Sequence, residues 1–284
     1  LRVSMTATGG DAAKANLSGI ENLLGGNAND TLTGDSLANL LDGSASADTL
    51  VGLGGNDTLE GGDGSDTADY SAENTSVVVN IATSSATGAT IGTDSLSSIE
   101  NAIGGSASDT LTGNTGENSL SGSGGTDSID GGVGSDTLDG GTENDTLVGG
   151  AGGDSLVGGA GTDVADYSAS NASVSIDLVS GSATGGHAEG DTITQIENVI
   201  GSTDNDTIRG ENTAAGNLLL GGSGNDILDG RGGADTLEGQ IGDDTLIGGA
   251  GADRLDGGAN TNTADYSTAT GAVTVDLSSG TGSG

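Results

Sequence analysis

Large aliphatic residues recur along this chain singly, every nine positions, each set among small polar residues. From Gly122 the sequence reads GSGGTDSID, GGVGSDTLD, GGTENDTLV, GGAGGDSLV, GGAGTDVAD. The eighth position of these units holds Ile129, Leu138, Leu147, Leu156 and Ala165. The sixth is always aspartate: Asp127, Asp136, Asp145, Asp154 and Asp163. Similar runs lie on either side, giving nonapeptide blocks over 25–69, 104–166 and 201–265. Residues 7 to 9 read as a short strand. Side chains alternate along a strand, so only position 8 faces inward, and Thr or Ser at position 7 suits the outer face. Glycine at positions 1, 2 and 4 permits positive φ and a tight turn.

Two nonapeptides make one coil of 18 residues, with a strand on each side and a turn at each end. Stacked coils give two parallel sheets around a thin aliphatic core. The predicted fold class is therefore all-β: a parallel β-roll or β-solenoid of nonapeptide half-coils, interrupted by wider β-solenoid spacer coils. The spacers fall at 1–24, 70–103, 167–200 and 266–284. They carry a longer repeat. DTADYS, DVADYS and NTADYS place Tyr70, Tyr167 and Tyr266 at intervals of 97 and 99. Each tyrosine precedes a strand-like alternation: Val77, Val79 and Ile81; Val174, Ile176 and Leu178; Val273, Val275 and Leu277. A shared phrase carries IEN at Ile20, Ile99 and Ile196. The last block has a two-residue insertion around Ala214 and Ala215. No linker separates the copies, so residues 1–284 read as one continuous solenoid. Both ends fall at nearly the same phase of the unit, which predicts a segment of a longer repetitive polypeptide.

Composition narrows the function. The chain has 5 Lys and Arg against 42 Asp and Glu, for a net charge of −37. Nucleic-acid binding needs basic residues to neutralise phosphates, so it is excluded as a partner class. No apolar run approaches the ~20 residues of a membrane-spanning helix, so membrane insertion is not expected. The absence of Cys removes disulfides and thiolate metal sites. With 58 Gly, no Phe or Trp and this charge, composition alone points to disorder. The strict repeat points instead to a fold that forms once something cancels the charge.

The spacing says what that is. Position 6 of one turn lies beside position 6 of the turn 18 residues later, so aspartates stack in two columns. Ca²⁺ takes 6–8 oxygen ligands in flexible geometry, and carboxylates with glycine-turn carbonyls supply them; Mg²⁺ suits such a cage less well. Transition metals favour His or Cys, and the chain has one His, His187. The candidate metal ligands are Asp30, Asp48, Asp57, Asp66, Asp109, Asp127, Asp136, Asp145, Asp154, Asp163, Asp206, Asp226, Asp235, Asp244 and Asp253. Asp206 pairs with Asp226 if the insertion loops out. Asn39, Asn118, Asn217 and Asn262 hold position 6 elsewhere; they keep an oxygen but lose the charge, so weaker sites are expected there. Asp57 has no aspartate 18 residues before it, because that position is Asn39.

No catalytic constellation accompanies the repeat. The glycine-rich turns lack the lysine of a phosphate loop. His187 has no second histidine for a zinc site. Carboxylates repeated down a ladder read as structure rather than as a glycosidase pair. The tyrosines read as packing residues where the roll meets the spacer coil. The chain is thus not expected to be an enzyme.

With these motifs in view, the sequence resembles the RTX family of hemolysin-type calcium-binding nonapeptide repeats. Its ADYS and IEN spacers resemble those of large bacterial surface and adhesin-like proteins. The resemblance implies calcium-dependent folding, and type I secretion to an extracellular or cell-surface location. Two functions follow. One is a calcium-binding structural module of a surface layer, filament or adhesin stalk, with self-association end to end or side by side. The other is a calcium-dependent folding and secretion module of a larger exported enzyme or toxin.

Overall fold

A computed structural model describes residues 17–213, 215–278 and 281–283. Residues 1–16 of the first expected spacer, residues 279, 280 and 284 of the last, and Ala214 of the expected insertion lie outside the described residues. The chain forms two compact units, Leu1–Asp163 and Val164–Gly284.

In the first unit the short strands stack in parallel with the register that the repeat predicts. On one side Leu23 pairs with Leu41, and Leu41 with Leu59. On the other, Leu32 pairs with Leu50, and Leu120 with Leu138. The strand triplets run out–in–out, as in Thr49–Val51 and Thr110–Thr112. Position 8 is sealed: Leu50, Leu59, Leu111, Ile129, Leu138 and Leu147 have no accessible surface. Each such side chain contributes about 1.5–3 kcal/mol relative to an exposed one, which is how so narrow a core holds.

The spacer coil is wider because the chain doubles back within it. Val77–Asn80 runs antiparallel to Ser85–Gly88, which runs antiparallel to Gly92–Ser97. This meander joins the stack at both edges, Leu96 beside Leu59 and Val79 beside Leu111. Val77, Val79 and Ile81 face inward, as the alternation predicts.

The second unit repeats the plan. Ile176, Ile208, Leu228 and Leu246 follow one another in parallel register on one side. Leu219, Leu237 and Leu255 do so on the other. Ser175–Asp177 and Ser182–Thr184 form the antiparallel return, followed by a 3-10 turn at Gly186–Ala188 that carries His187. The insertion loops out, because Thr207 still pairs with Ile227. The third spacer differs. Val275, within the strand Thr274–Asp276, and Val273 and Leu277 on either side of it are exposed, and Tyr266 is 37% exposed against 2% for Tyr70 and Tyr167.

Candidate metal centre

The turns place every candidate aspartate one residue before a strand, at the end of the core. Thirteen of them are buried, from Asp66 at 0% to Asp109 at 3%, while Asp30 and Asp253 are half-buried. They do form two ladders, but the rung is a hydrogen bond rather than a gap between carboxylates. The backbone N–H of Asp109 donates to Asp127 Oδ1 at 2.7 Å, Asp127 N–H to Asp145 Oδ1 at 2.8 Å, and Asp136 N–H to Asp154 Oδ1 at 2.8 Å. The same bond joins Asp30 to Asp48, Asp48 to Asp66, Asp145 to Asp163, Asp226 to Asp244 and Asp235 to Asp253. It also joins Asp206 to Asp226 across the insertion, and Asn39 to Asp57.

The second oxygen is what marks the site. In Asp48, Asp57, Asp66, Asp127, Asp136, Asp145, Asp226, Asp235 and Asp244, Oδ2 is buried with no hydrogen-bond partner. A buried acceptor left unsatisfied costs about 1–3 kcal/mol, and more when charged. Burial, above all, raises Asp57, Asp66, Asp127, Asp136, Asp145, Asp226 and Asp235, and neighbouring carboxylates add to it. Asp127 and Asp226 are pushed up to about 7, and Asp57, Asp136 and Asp145 to about 6. The ladder N–H bond opposes the shift in each case without cancelling it.

Each open oxygen lies in a small cradle floored by glycine. A Cβ on Gly131 would meet Asp136 Oδ2 at 2.5 Å and the Gly149 carbonyl oxygen of the next coil at 2.7 Å. Only a residue without a side chain leaves that space. At Gly132, in position 2, glycine is favoured for a second reason: φ is 96°, and a Cβ there would lie 2.5 Å from the Asn114 carbonyl oxygen. Among the described residues no three His, Cys, Asp or Glu side chains converge. A cation held here would therefore take one or two carboxylates and complete its shell from turn carbonyls, a hard, all-oxygen set suited to Ca²⁺. The residues present fit that ion. Bound, it would supply the positive charge that the open Oδ2 atoms lack.

Some position-6 residues are closed already. Asp109 holds Val77 N–H on Oδ1 and Gly105 N–H on Oδ2; Asp206 is held likewise by Val174 and Ser202. Asp30 Oδ2 accepts Gly26 N–H at 2.6 Å. Asn118 does not offer a free oxygen: its Oδ1 accepts Asn114 N–H at 2.7 Å, and its Nδ2 donates to the Glu100 carbonyl at 2.7 Å. Asn39 and Asn217 repeat this with Glu21 and Glu197, whereas Asn262 accepts the Asp244 N–H and is not closed in this way.

The ladders also contain members that the nonapeptide count misses. Asp94 Oδ1 accepts Asp57 N–H at 2.9 Å, and its Oδ2 accepts the Tyr70 hydroxyl at 3.1 Å. Glu100 Oε2 accepts Asp66 N–H at 2.8 Å. Tyr167 donates to Asp191 Oδ2 at 2.9 Å. Their signal is in the sequence: Asp94-Ser95-Leu96, Asp191-Thr192-Ile193 and Glu100-Asn101-Ala102 keep the acid two residues before an inward side chain. The tyrosines do pack where roll and spacer meet, and they bond as well. Burial and Asp94 raise the Tyr70 phenol far above its ordinary range, so it remains a donor.

No curated protein matches the chain at a significant level. The family pattern for the RTX calcium-binding nonapeptide repeat (4 copies) matches residues 17–36, 34–68, 103–138, 139–171, 194–214, 212–246 and 229–264, together roughly two thirds of the sequence.

Proposed function

The chain belongs to the RTX calcium-binding nonapeptide repeat family, and from that premise we propose that it is a calcium-binding structural module of a secreted or cell-surface protein, folding as it meets Ca²⁺ outside the cell. The role is that of a surface layer, filament or adhesin stalk. The observation that carries it is the set of buried, unpartnered Oδ2 atoms in successive turns. The proposed ligands are Asp48, Asp57, Asp66, Asp127, Asp136, Asp145, Asp226, Asp235 and Asp244, with Asp154, Asp163 and Asp253 at the same repeat position. Turn carbonyls complete each shell.

Folding is then coupled to binding. Without the cation, buried charge opposes folding of the turns that carry the open oxygens, and those stretches remain open. Extracellular modules bind Ca²⁺ with Kd of ~10⁻⁴ to 10⁻³ M, and stacked repeats make the transition cooperative. A far-UV circular dichroism titration tests this. A cooperative gain of β-structure in Ca²⁺, absent in equimolar Mg²⁺, is the expected result. A spectrum already β-rich in chelator and unmoved by Ca²⁺ would refute the coupling.

A further inference from the structure

The turns of each block are built in two ways, and the division falls at the same place in all three. In the first two turns the position-6 side chain is closed by its own turn: residue 2 donates its N–H. Gly26 donates to Asp30, Asp35 to Asn39, Gly105 to Asp109, Asn114 to Asn118, Ser202 to Asp206 and Glu211 to Asn217. Among the described residues these six turns contain no positive φ.

From the third turn onward the backbone is different. Position 2 takes positive φ, and in most of these turns position 4 does too, as at Ser44 and Ser46, Ser123 and Gly125, Gly132 and Gly134, or Gly222 and Gly224. Position 2 then joins the parallel ladder, Gly132 beside Gly150 and Gly222 beside Gln240. Its N–H no longer reaches the aspartate, and Oδ2 is left open in Asp48, Asp57, Asp66, Asp127, Asp136, Asp145, Asp226, Asp235 and Asp244. Ser123, Leu53, Arg231 and Gln240 hold the left-handed conformation although they carry a Cβ, so the geometry is imposed by the coil and not by glycine alone.

We propose that calcium is confined to the third and later turns of each block, and that the first two turns, with the spacer coil behind them, are closed by the chain's own donors and fold without it. This rests on the calcium reading above. An N–H aimed at the carboxylate oxygen puts a positive hydrogen where a cation would otherwise sit, so binding there would first have to break that bond. The chain supplies further donors at the same ends. The Nδ2 of Asn39, Asn118 and Asn217 donates to the glutamate carbonyl of the IEN phrase. Ser123 Oγ and Arg231 Nη1 donate to the carbonyls of the opening glycines Gly104 and Gly210, at 3.2 and 3.1 Å. Tyr70 closes Asp94, where the first block meets its spacer. Each block therefore has a preformed, metal-free start onto which calcium-dependent turns add. A costly nucleus is thereby supplied by the sequence, and propagation is left to the ion.

The test is the number of calcium ions bound at saturation, by equilibrium dialysis on the full chain. Asp109→Asn and Asp206→Asn, in opening turns, should keep the wild-type number. Asp127→Asn and Asp226→Asn, one turn further along the same columns, should each lose at least one ion. Asn118→Asp, which restores a carboxylate in an opening turn, should add none. Circular dichroism in saturating Ca²⁺ confirms that each variant compared is folded. Loss of ions from Asp109→Asn and Asp206→Asn to the same extent as from Asp127→Asn would overturn the proposal, as would an added ion in Asn118→Asp. A wild-type chain that binds no calcium would overturn the reading on which it rests.

Discussion

Asp94 and Asp127 do the same thing with one oxygen and opposite things with the other. Each is almost fully buried, and each takes a backbone N–H from the neighbouring coil on Oδ1. Asp94 Oδ2 then meets the Tyr70 hydroxyl, while Asp127 Oδ2 meets no donor. Burial alone does not create a need for a cation; burial without a donor within reach does. A spacer coil can afford a tyrosine because its meander gives room for a ring. In the turn of Asp127 no side chain donates to Oδ2.

The comparison can be broken or sharpened at several points. The largest effect is expected in the shared core. Leu138→Ala should lose about 2–5 kcal/mol and move the calcium midpoint for folding to higher concentration, because binding and folding are one equilibrium. Leu218→Ala, at an exposed position, should leave that midpoint unchanged. Next comes Tyr70→Phe, which strands Asp94 Oδ2 and should cost about 1–3 kcal/mol in urea unfolding. That cost should be the same at all saturating calcium concentrations. Tyr266→Phe, at a half-exposed ring, should cost nothing measurable.

The pH response separates the regions further. In chelator, Asp57, Asp127, Asp136, Asp145 and Asp226 hold their protons to about pH 6–7 when folded, against an ordinary 3.8. The folded state therefore binds more protons than the unfolded one across that window. Its stability is full below pH 3.8 and falls as pH rises through 6–7. β-structure monitored by circular dichroism should grow on acidification without calcium, and calcium uptake near pH 7 should release protons. Stability that instead rises with pH in chelator would contradict the open-oxygen assignment. The smallest effect is at the Arg231–Asp177 fork, whose two bonds measure 2.9 and 2.6 Å. It is partly exposed, so Arg231→Ala should lower thermal stability by only about 1 kcal/mol.

The stacking was legible because it follows from number alone. A side chain every nine residues, alternating about a strand, fixes an 18-residue register and an inward Leu138 or Ile129. The chemistry at the turn was legible only in part. Spacing places Asp109 beside Asp127, but it does not say which carboxylate oxygen faces the neighbour's N–H and which faces the cradle. Nor does it say that Asn118 turns its amide nitrogen toward Glu100. Those choices depend on backbone φ at positions 2 and 4, and Ser44, Leu53 and Arg231 adopt positive φ without the glycine that would announce it. The antiparallel return at Ser85–Gly88 carries no short hairpin signature. Asp94 is visible once the acid-x-aliphatic triplet is followed beyond the glycine-rich blocks.

The most direct test of the central claim is amide hydrogen exchange on the full chain at neutral pH, with calcium and with chelator. Protection in Thr137–Thr142 and Thr146–Ala151, whose turns carry the open oxygens of Asp136 and Asp145, should be strong with calcium and lost without it. Val77–Asn80 and Ser85–Gly88, in the coil that Tyr70 closes, should keep more of theirs. Equal protection of 137–142 and 146–151 in the two conditions would contradict the account, because the buried carboxylates would then need no cation.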